Sequence, residues 1–213
     1  MGFSIAEYAD LRPFLYHVTD RANVARLQRQ RRLDPAIAVL RAARREDLIR
    51  ERRSAAVPLL VDGETIVLKD QHPLIAANVA LDPRWQFGDF VQYLNELVYF
   101  WPGDALTAIA PGGRLLDHYA ADRPAVIRVR FLELLQANPG LEPLFSPYNS
   151  GAPRMRGGQP VPRGPDLFRS AFGCPRRRHE VVEVGFRGSV IVPPSTEIAV
   201  TNFEWERLVN PAA

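Results

Sequence analysis

The sequence predicts a single α+β domain spanning all 213 residues. Three observations carry that prediction. Period-two apolar segments and period-3.6 segments are interspersed without a βαβα rhythm, which disfavours a doubly wound parallel sheet. No internal repeat divides the chain into equivalent units. The composition, 46% hydrophobic and 24% charged, is that of a globular protein with enough chain to bury a core.

The elements follow in order. Phe14 to Val18 (FLYHV) reads as a strand, and Thr19 or Asp20 then caps a helix that turns Val24 and Leu27 inward. Asp34-Pro35 to Arg53 has helical composition, with proline at a first-turn position. Residues 57–68 (VPLLVDGETIVL) alternate about Asp62-Gly63, a β-hairpin signature. Pro73 is expected to open a helix through Leu81. Phe87, Phe90, Val91 and Leu94 follow i, i+3, i+4, i+7 spacing and predict an amphipathic helix. LVYFW (97–101) predicts a strand stopped by Pro102-Gly103, and AVIRVRF (125–131), EVVEVGF (180–186) and TEIAV (196–200) predict three more. Residues 146–178 are dense in Gly, Pro and Arg and lack periodicity, which predicts a binding loop or lid.

Charge is unevenly spread. Lys69 is the only lysine, so arginine carries the basic character. Residues 26–53 hold ten Arg against four acids, and residues 154–178 hold seven Arg against one Asp. With the whole chain at +3, the remainder is strongly acidic. This asymmetry points to an anionic partner such as a nucleic acid or a phosphorylated cofactor, the alternative being a solvated helix face and an exposed loop.

Several classes are excluded. A lone cysteine, Cys174, cannot support a disulfide scaffold. No apolar run approaches the roughly 20 residues that span a bilayer, and the first residues lack a signal-peptide pattern. A cytoplasmic protein without a membrane partner is therefore expected. No GxGxxG, P-loop, GxSxG or Cys/His metal spacing occurs, so no metal is expected. Three arginines follow Cys174 and are expected to lower its pKa, but no His–Asp set accompanies it, which favours a structural thiol.

The remaining motifs are Tyr16-His17-Val18-Thr19, Val98-Tyr99-Phe100-Trp101-Pro102, and Glu183 within EVVEVGF. In order and spacing they resemble the ADP-ribosyltransferase superfamily of the His-Tyr-Glu type. The nearest likeness is to DNA-targeting DarT-like transferases, which share a YH-x-T strand, a Tyr-Phe-x-Pro element and a late Glu-Val. The chain is also similar to an uncharacterised bacterial family with motifs matching LKDQHPL (68–74), LNELVYFW (94–101) and NSG (149–151). The resemblance implies a split β-sheet core with flanking helices and NAD as substrate.

The resemblance also implies roles. Breaking the nicotinamide–ribose bond develops an oxocarbenium-like cation, which a carboxylate stabilises. Glu183 is the candidate catalytic residue and Glu180 the alternative. The period of two places Glu180 with Val182, Val184 and Phe186 on a core face, and turns Glu183 to the other side. His17 and Thr19 alternate onto one strand face as candidate donors to NAD, and Tyr99 is a candidate stacking partner for nicotinamide. Lys69, Asn149, Ser150 and Arg154 complete the expected cofactor-binding set, with Arg154, Arg156 and Arg163 as phosphate contacts. The expected function is NAD-dependent mono-ADP-ribosyl transfer to a macromolecule, nucleic acid (DNA or RNA) ahead of protein. The alternatives are an NAD glycohydrolase, an RNA 2′-phosphotransferase, or a non-catalytic nucleotide- or nucleic-acid-binding module.

Overall fold

A computed structural model of the chain describes residues 2–122, 124–200 and 204–209. Its helices are α1 (Ile5–Leu11), α2 (Val24–Gln30), α3 (Ala36–Ala42), α4 (Phe87–Asn95), α5 (Ala110–Tyr119) and α6 (Phe131–Ala137). The strands of the first half are β1 (Phe14–Thr19), β2 (Arg32–Leu33), β3 (Val57–Val61), β4 (Glu64–Leu68) and β5 (Leu97–Gly103). Those of the second half are β6 (Ala125–Arg130), β7 (Pro143–Ser146), β8 (Met155–Arg156), β9 (Gln159–Pro160), β10 (Glu183–Arg187), β11 (Val190–Ile191), β12 (Glu197–Ala199) and β13 (Glu206–Arg207).

Seven strands form one sheet in the order β13-β12-β6-β1-β5-β10-β7, with every neighbouring pair antiparallel. The mixed α/β class is as the sequence predicts. Alternation along the strands divides the core between the two faces. Leu15, Phe100, Ile127, Val184 and Phe186 meet Tyr8 of α1, Leu27 of α2, and Phe131 and Leu134 of α6 in one cluster. On the other face, Phe14, Tyr16 and Val126 pack with Leu116 of α5, and Tyr99 packs with Phe90, Val91 and Leu94 of α4.

The centre of the sheet is not uniformly paired. Leu97–Phe100 of β5 pair with β10, whereas Trp101–Gly103 pair with β1. The β1 residues beyond Tyr16 keep β6 as their neighbour but have no β5 partner. A cleft opens at this seam.

The β3–β4 hairpin turns at Asp62 (φ 53°) and Gly63 (φ 79°), both left-handed as a two-residue turn of this kind requires. Asp20 caps a short 3-10 turn over Arg21–Asn23 that leads into α2.

Other expectations are corrected. The helix predicted over 34–53 is broken into α3 and a 3-10 turn over Glu46–Leu48, because Arg44 adopts a left-handed φ of 55° between them. Pro35 is the N-cap of α3 and not a first-turn residue. The helix expected from Pro73 to Leu81 is a single 3-10 turn over Ala76–Asn78. Its backbone is diverted: Arg163 N–H donates to Ala80 O, and Asp82 N–H donates to Arg163 O. The strand predicted from Glu180 begins at Glu183, and Arg178–Glu180 form a 3-10 turn. The segment 146–178 is packed at several points along its length. Arg163, Leu167, Phe168, Ala171 and Cys174 are buried, whereas the β8–β9 tip and Phe172, 90% exposed, stand out from the surface. That tip turns on Gly157 and Gly158, both with positive φ. Among the described residues, no helix is long and apolar enough to cross a membrane.

Candidate active site

The seam between β1 and β5 leads into a cavity of about 270 Å³, near the lower end of the roughly 300–1,000 Å³ of small-molecule sites. His17, Thr19, Lys69, Tyr99, Asn149, Ser150 and Glu183 all line it. Seven of the eight proposed site residues are thus brought together. Arg154 is not among them and lines a neighbouring cavity instead.

Strand parity alone does not explain the convergence. His17 shares the face of Leu15, and its ring lies 5.5 Å from that of Phe100. Tyr99 and Glu183 belong to the opposite face, since Gly185 stands opposite Tyr99 in the ladder. They meet because the cleft runs through the sheet at the seam.

Glu183 begins β10 with 3% of its surface exposed. One carboxylate oxygen accepts the backbone N–H of Ser150 at 3.0 Å. The Ser150 loop is shaped by Asn149, whose side-chain oxygen accepts the N–H groups of Gly151 and Ala152 at 3.1 and 3.2 Å. Burial raises the Glu183 pKa to about 7, opposed by hydrogen bonds from Ser150 and, more weakly, by the charge of Arg163. A carboxyl poised near neutrality beside a cavity is suited to proton transfer and to meeting a developing cation.

His17 bonds through Nδ1 to the carbonyl oxygen of Tyr99 at 2.7 Å. A carbonyl only accepts, so Nδ1 carries the proton. Burial depresses the His17 pKa, with the Tyr99 bond opposing it, so the ring is neutral and Nε2 is an acceptor. With Nδ1 committed to Tyr99 O, the neutral ring has only an acceptor left to offer, where the sequence reading expects a donor. Thr19 also lines the cavity. Its oxygen accepts from Asn23 Nδ2 at 3.0 Å, leaving the hydroxyl proton free.

Tyr99 is partly committed elsewhere. Its hydroxyl donates to Leu94 O at 2.7 Å, and its ring packs against Phe168 at 5.6 Å. Burial pushes its pKa well up, so it is a neutral wall and not an acid. Trp101 lines the same cavity, with a buried Nε1 that has no partner among the described residues. Lys69 pairs with Asp122 at 3.1 Å and lies 4.0 Å from the centre of the Tyr119 ring.

Three further residues went unnoticed in the sequence. Arg53 lines the cavity, donating to Lys69 O and Asn95 Oδ1, with no ion pair among the described residues. Desolvation lowers its pKa to about 10, which still leaves it charged. Asn95 is 2% exposed and donates to Ile49 O at 2.9 Å. Asn23 clamps β4 to the site through both directions of its amide, to Val67 O and from Val67 N–H. Asn95 carried a legible signal: it follows Val91 by four positions and falls on the apolar face of α4.

Cys174 is corrected. It is 1% exposed, and desolvation raises its pKa despite nearby arginines. Glu180 lies off the strand, accepting Arg177 N–H at 3.0 Å and pairing with Arg176 at 3.6 Å. Among the described residues, no cluster of His, Cys, Asp or Glu is arranged to hold a metal ion.

No curated protein and no solved structure matches the chain. One family model does, over residues 13–194, which takes in the seam and every residue of the cavity wall. The chain belongs to the family of unknown function DUF7002.

Proposed function

We propose that the protein transfers ADP-ribose from NAD to a macromolecular acceptor, with nucleic acid preferred over protein, on an ADP-ribosyltransferase-like split sheet. The observation that carries this reading is a buried carboxyl, Glu183, facing one cavity with His17 and Tyr99 at the point where β5 changes partner.

In this reading the nicotinamide ribose enters the cleft. His17 Nε2 accepts from a ribose hydroxyl, the Thr19 hydroxyl donates, and Tyr99 and Trp101 form an aromatic wall. The C–N bond to nicotinamide breaks with its electron pair leaving on the nicotinamide nitrogen. The positive charge left on the ribose is met by ionised Glu183. An acceptor oxygen or nitrogen then bonds to the anomeric carbon and releases its proton, for which a carboxylate with a pKa near neutrality is a competent base. Arg53 and Lys69 supply positive charge for the anionic part of the dinucleotide.

The test is incubation with NAD labelled in its adenylate half, together with DNA, RNA or protein lysate. Label is expected on a macromolecule with the wild type and not with Glu183→Gln. Release of ADP-ribose without macromolecular label would make the protein a glycohydrolase. No consumption of NAD by the wild type would overturn the reading.

A further inference from the structure

Across the Asn149–Gly151 loop from the first cavity lies a second, of about 390 Å³. His72, Leu115 and Asn149 line both, so the two are neighbours. Consecutive residues divide between them, Val182 on the second and Glu183 on the first.

The charge of the second cavity is one-sided. Arg114, Arg154 and Arg163 line it, and no Asp or Glu does among the described residues. Other arginines do have carboxylate partners, as in Arg26–Glu64, Arg32–Asp34 and Arg128–Glu197. None of the three cavity arginines has an ion pair among the described residues.

Arg163 is the decisive group. It is 1% exposed, one of the largest fully buried side chains. Its guanidinium donates to Val161 O at 3.2 Å and Ala152 O at 2.9 Å, and lies 4.8 Å from the centre of the Tyr148 ring. Its Nε is buried without a partner. Of the five N–H donors in a guanidinium, two are used by the described residues. A buried cation with no carboxylate in ion-pair contact is costly, and an anion bound beside it offsets that cost. Arg114 and Arg154 are exposed at the rim, where they can close on an anion. The first turn of α5, with Pro111 on the wall, has neither a side-chain cap nor an acidic residue to compete with one.

We propose that this second cavity is a phosphate-binding subsite in which Arg163 is the fixed anchor and Arg114 and Arg154 are the closing contacts. The guanidinium fork matches phosphate oxygens in pairs of parallel bonds, and a wall of Pro73, Pro111, Pro147 and Pro153 gives the site a stiff outline. Its phosphate comes from one of two sources: the pyrophosphate of NAD, or a phosphodiester of the acceptor. The subsite deepens the transferase reading, but its test does not depend on turnover.

The experiment is calorimetric titration of the full chain with inorganic pyrophosphate at low salt, on the wild type, Arg114→Ala, Arg154→Ala and the double variant. Both positions are exposed, so the variants are expected to fold. Saturable binding is expected for the wild type, weakened about five-fold or more by each single change and further by the double, with a shallower salt dependence. Repeating the titration with saturating NAD, and separately with a single-stranded oligonucleotide, identifies the source by which of them displaces pyrophosphate. Failure of wild-type binding, equal binding by the double variant, or displacement by neither ligand would each overturn the proposal. Pyrophosphate binding together with inert NAD would leave the subsite standing and remove the transferase reading.

Discussion

His17 Nδ1–H donates to the carbonyl oxygen of Tyr99 at 2.7 Å, one residue past the last backbone pair between β1 and β5, Tyr16 with Trp101. A side chain thus takes up a strand carbonyl at the point where the ladder stops. The imidazole holds the cleft edge closed at one end and forms part of the cavity wall.

Removing that donor is expected to cost stability. His17→Phe leaves the Tyr99 carbonyl short of a partner in a part-buried setting, worth about 1–3 kcal/mol. His17→Asn, which keeps an N–H donor, is expected to recover part of the loss. Urea denaturation of the three proteins at pH 8 is the check, and equal midpoints would contradict the role given to this bond. The same residue adds a pH limb. Its folded pKa lies below the ordinary 6.5, so the folded state resists protonation and stability falls as pH drops below 6.5. The Asn variant is expected to lack that component.

Glu183 imposes the opposite trend. Its pKa rises from 4.5 to about 7 on folding, so the folded protein holds the proton more tightly. Relative stability from this group is greatest below 4.5 and declines as pH rises through 7. At roughly 1.4 kcal/mol per pKa unit, the full effect is about 3 kcal/mol. Glu183→Gln, which does not titrate, is expected to match the wild type at pH 4.5 and to exceed its stability at pH 8 by an amount of that order. Thermal melts across this range read the crossover directly.

Catalysis should separate the two neighbouring carboxylates. Glu183→Gln preserves shape and one acceptor for the Ser150 N–H but removes the charge that meets the ribosyl cation. A loss of about 10²–10³ in NAD turnover is expected. Glu180→Gln alters only a 3-10 turn and a surface pair with Arg176 and should change turnover less than about two-fold. The wild-type rate is expected to rise with pH along a limb near 7. Reversed effects of the two variants would place the essential carboxylate at Glu180.

Asn95 should be intolerant of change for reasons of satisfaction rather than size. Its amide serves Ile49 O, the Arg53 guanidinium and the Gln71 side chain. Asn95→Leu strands these partners at a buried position and is expected to cost about 2–4 kcal/mol. Because Arg53 is then loosened in the cavity wall, NAD affinity should also fall. A stable Asn95→Leu protein would show that its partners find water instead.

The sequence was most legible where one local pattern decided the outcome. Asp62-Gly63 can turn left-handed, so the hairpin followed from two residues, and α4 followed from four apolar positions on one face. Glu183 was suggested by the family resemblance, and the period of two then set it on the strand face away from Val184 and Phe186. Legibility failed where distant backbone overruled local preference. The chain after Pro73 has helical composition, yet Ala80 and Asp82 pair with Arg163, far along the chain. Arg53 stood in an arginine-rich run that offered no way to single it out. Its place in the cavity comes from Asn95 and the Lys69 carbonyl, contacts that exist only after folding. The helices α1 and α6 were missed because each is short, and α5 because its two glycines blur its period.

The change of partner along β5 has a consequence for how such a protein diversifies. A single strand borders the cleft, bound to β10 along one part and to β1 along the other. The aperture is therefore set by backbone pairing over seven residues, and not by the side chains at Thr19, Lys69 or Glu183 that look into it. Those positions can be exchanged without widening or closing the mouth. Chemistry and gauge are inherited separately, and descendants of this scaffold are free to trade the first while keeping the second.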